Sequence, residues 1–136
     1  MTDIIKKGDT YSYSFSYNQK QVDEFAKVTG DNNPIHIDAK YAESSIFGRP
    51  IMHGFLGGSV FSMVFGTLFP GEGTIYMGQN MSFRRPMFVD MEYTAKFEVV
   101  EADTEKNRAK IETKIIDKDG ENVIIGDAFV QNKRIS

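Results

Sequence analysis

From Tyr11 to Tyr17 the chain alternates strictly, with Tyr11, Tyr13, Phe15 and Tyr17 set against Ser12, Ser14 and Ser16. A period of two that is rich in aromatic residues predicts a half-buried strand. The period then lengthens. Val22, Phe25 and Ala26 fall on one helical face, Asn18 is suited to cap the helix start, and Gly30 is suited to close it. Asp38 is placed to cap a second, short helix through Tyr41 and Ala42. Residues 54–69 fit neither pattern: Phe55, Leu56, Val60, Phe61, Met63, Val64, Phe65 and Leu68 leave no polar face. Such a segment predicts a helix buried on all sides. Alternation then returns in residues 75–83, 91–99 and 109–116, and a turn over residues 117–120 leads to a last strand over 123–130.

One strand, short helices, an all-apolar helix and four more antiparallel strands predict an α+β protein. Helices lying flat on one sheet face would also satisfy a layered architecture. A long helix with no solvent face to spare favours a curved sheet wrapped around it, the hot-dog arrangement. The length of 136 residues allows one domain, taken here as residues 1–136, and no repeat or composition shift divides it. At 40% hydrophobic and 26% charged, the chain has the make-up of an ordinary soluble domain. Sixteen basic against nineteen acidic residues, net −3, argue against a nucleic-acid partner. The absence of cysteine excludes disulfides, thiolate metal sites and a cysteine nucleophile. The amino-terminal stretch lacks a signal-like apolar run, and residues 54–69 fall short of the roughly 20 residues that span a bilayer. The expectation is a cytoplasmic protein with no membrane partner.

Chemistry has few places to sit. The two histidines, His36 and His53, flank the apolar helix in loops. The stretch Gly30-Asp31-Asn32-Asn33-Pro34-Ile35-His36 is dense in turn formers, and one reading is that they only satisfy loose backbone groups. The other is that Asp31 and His36 face one another. Pro34 fixes its own φ and pushes Asn33 towards an extended conformation, so the separation is rigid. A carboxylate and an imidazole aimed at one volume can hold a water and exchange protons with it near neutral pH. The second stretch, Gly48-Arg49-Pro50-Ile51-Met52-His53-Gly54, runs into the apolar helix. Free N–H groups at a helix start favour a developing oxyanion, and Gly54 admits close approach; packing against the sheet explains Gly54 equally well and Gly57 and Gly58 better. His53 reads as a hydrogen-bonded structural residue. Ser62 reads as a buried hydroxyl bonded one turn back. Arg84-Arg85 is solvated surface or a contact for the phosphates of a small anionic ligand. There is no phosphate loop, and the histidine spacing is not that of a helical metal pair, so no metal and no cofactor is expected.

Together these two stretches, the first beginning at Phe25-Ala26-Lys27-Val28-Thr29 and the second at Phe47, resemble the MaoC-like (R)-specific enoyl-CoA hydratases. Gly73-Thr74-Ile75-Tyr76-Met77-Gly78-Gln79, Ser82-Phe83 and Pro86 extend the similarity to the short single-domain members used in polyhydroxyalkanoate synthesis. The resemblance implies a hot-dog homodimer that adds water to trans-2-enoyl-CoA in the (R) sense. It implies Asp31 and His36 as the catalytic pair, with Gly54 as oxyanion donor and Ser62 and Asn33 on the substrate side. Where the family often has Val-Gly-Asp, this chain reads Val89-Asp90-Met91, a change expected to alter a turn near the entrance for the coenzyme A arm. Two rivals come from other classes. A hot-dog thioesterase usually presents a carboxylate from the central helix, and residues 54–69 contain none. A non-catalytic acyl-thioester-binding module has no use for an acid–base pair.

Overall fold

The computed structural model describes residues 3–136. Its first strand, β1 (Thr10–Phe15), ends just before Asn18, whose side chain accepts from the Gln21 N–H while the Gln21 side chain accepts from the Asn18 N–H. This reciprocal box starts α1 (Gln19–Thr29), and Gly30 in the left-handed region (φ 81°) ends it. The loop of turn formers then contributes an element the pattern did not predict, the single turn α2 (Pro34–Ile37). Proline at its first position loses nothing, because that N–H has no helical acceptor. His36 therefore lies on a helical turn and not in a loop. Asn33 is extended before it (ψ 126°), and Asp38 caps α3 (Ala39–Glu43) through the N–H groups of Lys40 and Tyr41, as expected.

The apolar helix is α4 (Gly54–Thr67). Around it runs an antiparallel sheet in which β1, β4 (Tyr93–Asp103), β5 (Arg108–Ile116), β6 (Asn122–Gln131) and β2 (Ile75–Gln79) are neighbours in that order. The expected strand over 75–83 is broken, and its end, β3 (Ser82–Phe83), pairs separately with β6. The cause is Asn80, which turns to exchange hydrogen bonds with Asp127 and presses its carbonyl against Gly126. A Cβ on Gly126 would lie 1.9 Å from that oxygen.

Alternation places Tyr93, Ala95, Phe97 and Val99 of β4, Ala109, Ile111 and Ile115 of β5, and Ala128 and Val130 of β6 inside. Phe61 and Phe65 of α4 meet Phe97 edge-on at 5.7 and 5.3 Å. Gly57 and Gly58 let the helix sit close, since a Cβ on either would collide with Met87 or Met81. This is the expected α+β hot-dog arrangement. One expectation needs correction: α4 is not buried all round. Phe55, Ser59, Ser62 and Gly66, spaced at helical intervals, form an exposed stripe, so Ser62 is not a buried hydroxyl. The sheet of one chain covers only the opposite side of the helix. Among the described residues no helix is long and apolar enough to cross a membrane.

Candidate active site

Three loops and turns converge at the amino end of α4. Gly30 turns the chain sharply after α1, which throws Asp31 back over His53. Pairing of Ile51 N–H with the Ile35 carbonyl ties α2 to the segment leading into α4, and Met52 N–H bonds the Met87 carbonyl below. The outcome is that a carboxylate oxygen of Asp31 and ring nitrogens of His36 and His53 lie within 4.8 Å of one another.

The hydrogen bonds assign both tautomers. A carbonyl only accepts, so His36 Nδ1, 2.8 Å from the Ile51 carbonyl, carries a proton, and Nε2 is left with a free lone pair. By the same logic His53 Nε2–H donates to the Asp31 carbonyl at 2.8 Å, and its Nδ1 holds a lone pair, buried without a partner. The imidazoles stack with centroids 3.8 Å apart and planes 26° from parallel. Burial pushes the His36 pKa below its ordinary value of 6.5; the Ile51 hydrogen bond and the Asp31 carboxylate oppose the shift, and His53 adds to it. The neutral, basic form of His36 is thereby favoured. This stack also disposes of the cluster as a metal centre. Two nearly parallel rings point their in-plane lone pairs past each other, whereas a shared ion must lie in both ring planes at about 2 Å.

A cavity of about 430 Å³ opens over the pair, lined among others by Asp31, His36, Gly54, Phe55, Arg84 and Arg85. Gly54 is the first residue of α4, and its N-cap His53 makes no side-chain capping bond to the first turn. The opening turn of the helix thus presents N–H groups and its positive end beside Asp31 and His36. A Cβ on Gly54 would meet the Phe83 ring at 2.6 Å, so packing and access both require glycine here. Arg85 reaches Glu121 at 3.6 Å, while the Arg84 guanidinium has no ion pair among the described residues. The two remaining candidates lie outside this cavity within one chain. Asn33 spends its side-chain oxygen on the Ile35 N–H as the cap of α2, and Ser62 lies two turns along α4 on the exposed stripe. His53 as the link between the two catalytic candidates is the feature sequence reasoning missed; its only signal was its place directly before Gly54.

Asp90 occupies the turn where the family often has glycine, and it keeps a left-handed conformation (φ 59°), its N–H donating to the Tyr17 carbonyl at 2.8 Å. The aspartate thus holds a backbone conformation that glycine takes more readily.

Comparison with known proteins agrees with this geometry. The family described as MaoC like domain matches residues 3–120. The (R)-specific enoyl-CoA hydratase of Aeromonas caviae is 37% identical over 127 residues, covering 93% of this chain and 95% of the relative. A 3-hydroxybutyryl-CoA dehydratase of Methylorubrum extorquens is 34% identical over 131 residues, covering 96% and 78%. The solved (R)-hydratase from A. caviae involved in PHA biosynthesis superposes with a TM-score of 0.90 at 37% identity, over 93% of this chain and 96% of that one. With a hot-dog sheet, an aspartate–histidine pair at the head of its central helix and a family match over most of its length, this chain belongs to the MaoC-like dehydratases.

Proposed function

We propose that this protein is an (R)-specific enoyl-CoA hydratase, a hydro-lyase that adds water reversibly to trans-2-enoyl-CoA to give (R)-3-hydroxyacyl-CoA. The observation that carries the chemistry is the free Nε2 of His36 and the Asp31 carboxylate meeting in one cavity at the positive end of α4. Asp31 and His36 hold one water and take its proton as its oxygen bonds to C3. The same proton inventory then serves C2, so water adds across the double bond with no atom left over. Both groups lie on one side of the substrate, which makes the addition syn. Both groups reach the same water, so neither alone is assigned as the first base. Charge that builds on the thioester oxygen is met by the Gly54 N–H and the helix end; one such donor is typically worth about 3–4 kcal/mol. The (R) hand follows the relatives' names.

Arg84 and Arg85 at the cavity mouth face the anionic, coenzyme A end of the substrate. The reading also includes a single domain over the chain, a cytoplasmic place of action and a homodimer. The dimer is supported by the α4 stripe, by exposed Ile75, Tyr76 and Met77, and by β2 lying at the edge of the sheet. A second copy over that face covers Ser62 and brings it into an assembled substrate site; Asn33 then acts on substrate only through the turn it caps.

The test is loss of enoyl-thioester absorbance from crotonyl-CoA with a thiol trap in parallel. Loss without thiol release, with a chiral (R) product, is the expected result. Thiol release would make the protein a thioesterase, and silence with short and long enoyl chains would make it a binding module.

A further inference from the structure

His53 is 1% exposed, so its ring direction is set entirely by its neighbours. Phe25 lies against it at 4.8 Å and His36 stacks on it at 3.8 Å. The carboxylate of Asp31 has no hydrogen bond among the described residues, so the backbone alone aims it. Both polar backbone atoms of Asp31 are pinned: its N–H donates to Thr29 Oγ1 at 3.2 Å, and its carbonyl accepts from His53 Nε2–H at 2.8 Å. His36 is likewise held at one edge by the Ile51 carbonyl and across its face by His53. His53 itself is the N-cap of α4, one bond from the Gly54 N–H. A single side chain thus joins the loop of Asp31, the turn of His36 and the head of α4. An unpartnered buried polar atom such as its Nδ1 is a standing cost, and a phenylalanine would fill the same space without it. What an imidazole adds here is the Nε2–H donor.

We propose that His53 is a positioning residue for the hydration, holding Asp31 and His36 in register with the oxyanion end of α4 through one hydrogen bond and one ring stack. This rests on the hydratase reading above. Misplacement of reacting groups by about 1 Å can cost 10²-fold, so the loss falls on turnover and not on substrate binding.

Two variants separate the two contacts. His53→Phe keeps a stacking ring and removes the donor; His53→Gln keeps a donor and removes the ring. With crotonyl-CoA, kcat is expected to fall roughly 10–100-fold in His53→Phe with KM within about threefold, and His53→Gln is expected to recover part of it. In both, the acid limb of the rate profile moves to higher pH, because the imidazole beside His36 is gone. A folded His53→Phe with kcat within twofold of the parent, or a His53→Gln no better than it, overturns the proposal. If neither variant folds, nitrogen-15 NMR of the parent decides: with only two histidines in the chain, His53 must show the Nε2-protonated form and His36 the Nδ1-protonated form. Any other pair of tautomers overturns it. A parent inactive on every enoyl thioester would instead sink the hydratase reading, a result distinct from these.

Discussion

On the hydratase reading the chemistry rests on Asp31 and His36, two side chains whose removal leaves little unfilled space: Asp31 is exposed and His36 half-buried on a turn. Asp31→Ala and His36→Ala are therefore expected to fold, and to lower kcat by roughly 10²–10⁴-fold, the usual worth of general acid–base help. Near-parental turnover in either variant would remove the pair from the mechanism. Because burial lowers the His36 pKa, its basic form persists below pH 6.5, and the acid limb of kcat/KM is expected below that value. The stability sign follows from the same shift. The unfolded chain binds the proton more readily, so this contribution is complete above 6.5 and is lost as pH falls through the lowered folded value, which thermal melts against pH will register. Arg84→Ala tests the other end of the substrate. It is expected to raise KM for crotonyl-CoA about tenfold, the worth of one charge-assisted contact, and to leave KM for the crotonyl ester of pantetheine unchanged. Equal effects on both esters would place Arg84 outside carrier recognition.

Among the elements, the caps and turns were the most legible. Asn18, Gly30 and Asp38 each do what their position in the pattern implied, because capping is local chemistry between residues two to four apart. Asn18→Ala is expected to cost about 1 kcal/mol in denaturant unfolding, because the Gln21 N–H loses its side-chain acceptor while the backbone half of the box remains. Asp90 is the opposite case. A non-glycine residue in the left-handed region stores about 1 kcal/mol of strain, so Asp90→Gly is expected to raise stability by up to that amount without changing activity. A drop in stability would mean that the aspartate side chain contributes more than its backbone costs. α2 escaped the sequence reading because a single turn carries no period; only Asn33 before Pro34 marked its start.

For the molecule as a whole, the exposed stripe on α4 is the surface that the proposed dimer would cover. Gly66 lies on it, and a Cβ there would meet nothing within 4 Å in the single chain. Gly66→Arg should therefore leave the protomer folded, while a charge buried without a partner would split a dimer. Light scattering is expected to give a mass of two 15.4 kDa chains for the parent and one for the variant, with activity falling alongside if the second copy completes the site. A parent that is monomeric at micromolar concentration would end the dimer reading.

Periodicity, composition and the caps determined the class of fold, the order of nearly every element and the place of the apolar helix, because each depends on neighbours within one turn or one strand pair. The two motifs also contained Asp31, His36 and His53, which the fold brings together at the head of α4. Tertiary structure alone decided how they meet. The break at Asn80 needs Gly126, 46 positions away, and the free nitrogen of His36 follows from the carbonyl of Ile51. The stack of His53 on His36 and its bond to Asp31 exist only because three separate segments converge at the head of α4. Such contacts carry no period and leave no local mark on the chain. They arise when packing brings distant backbone groups within hydrogen-bonding distance.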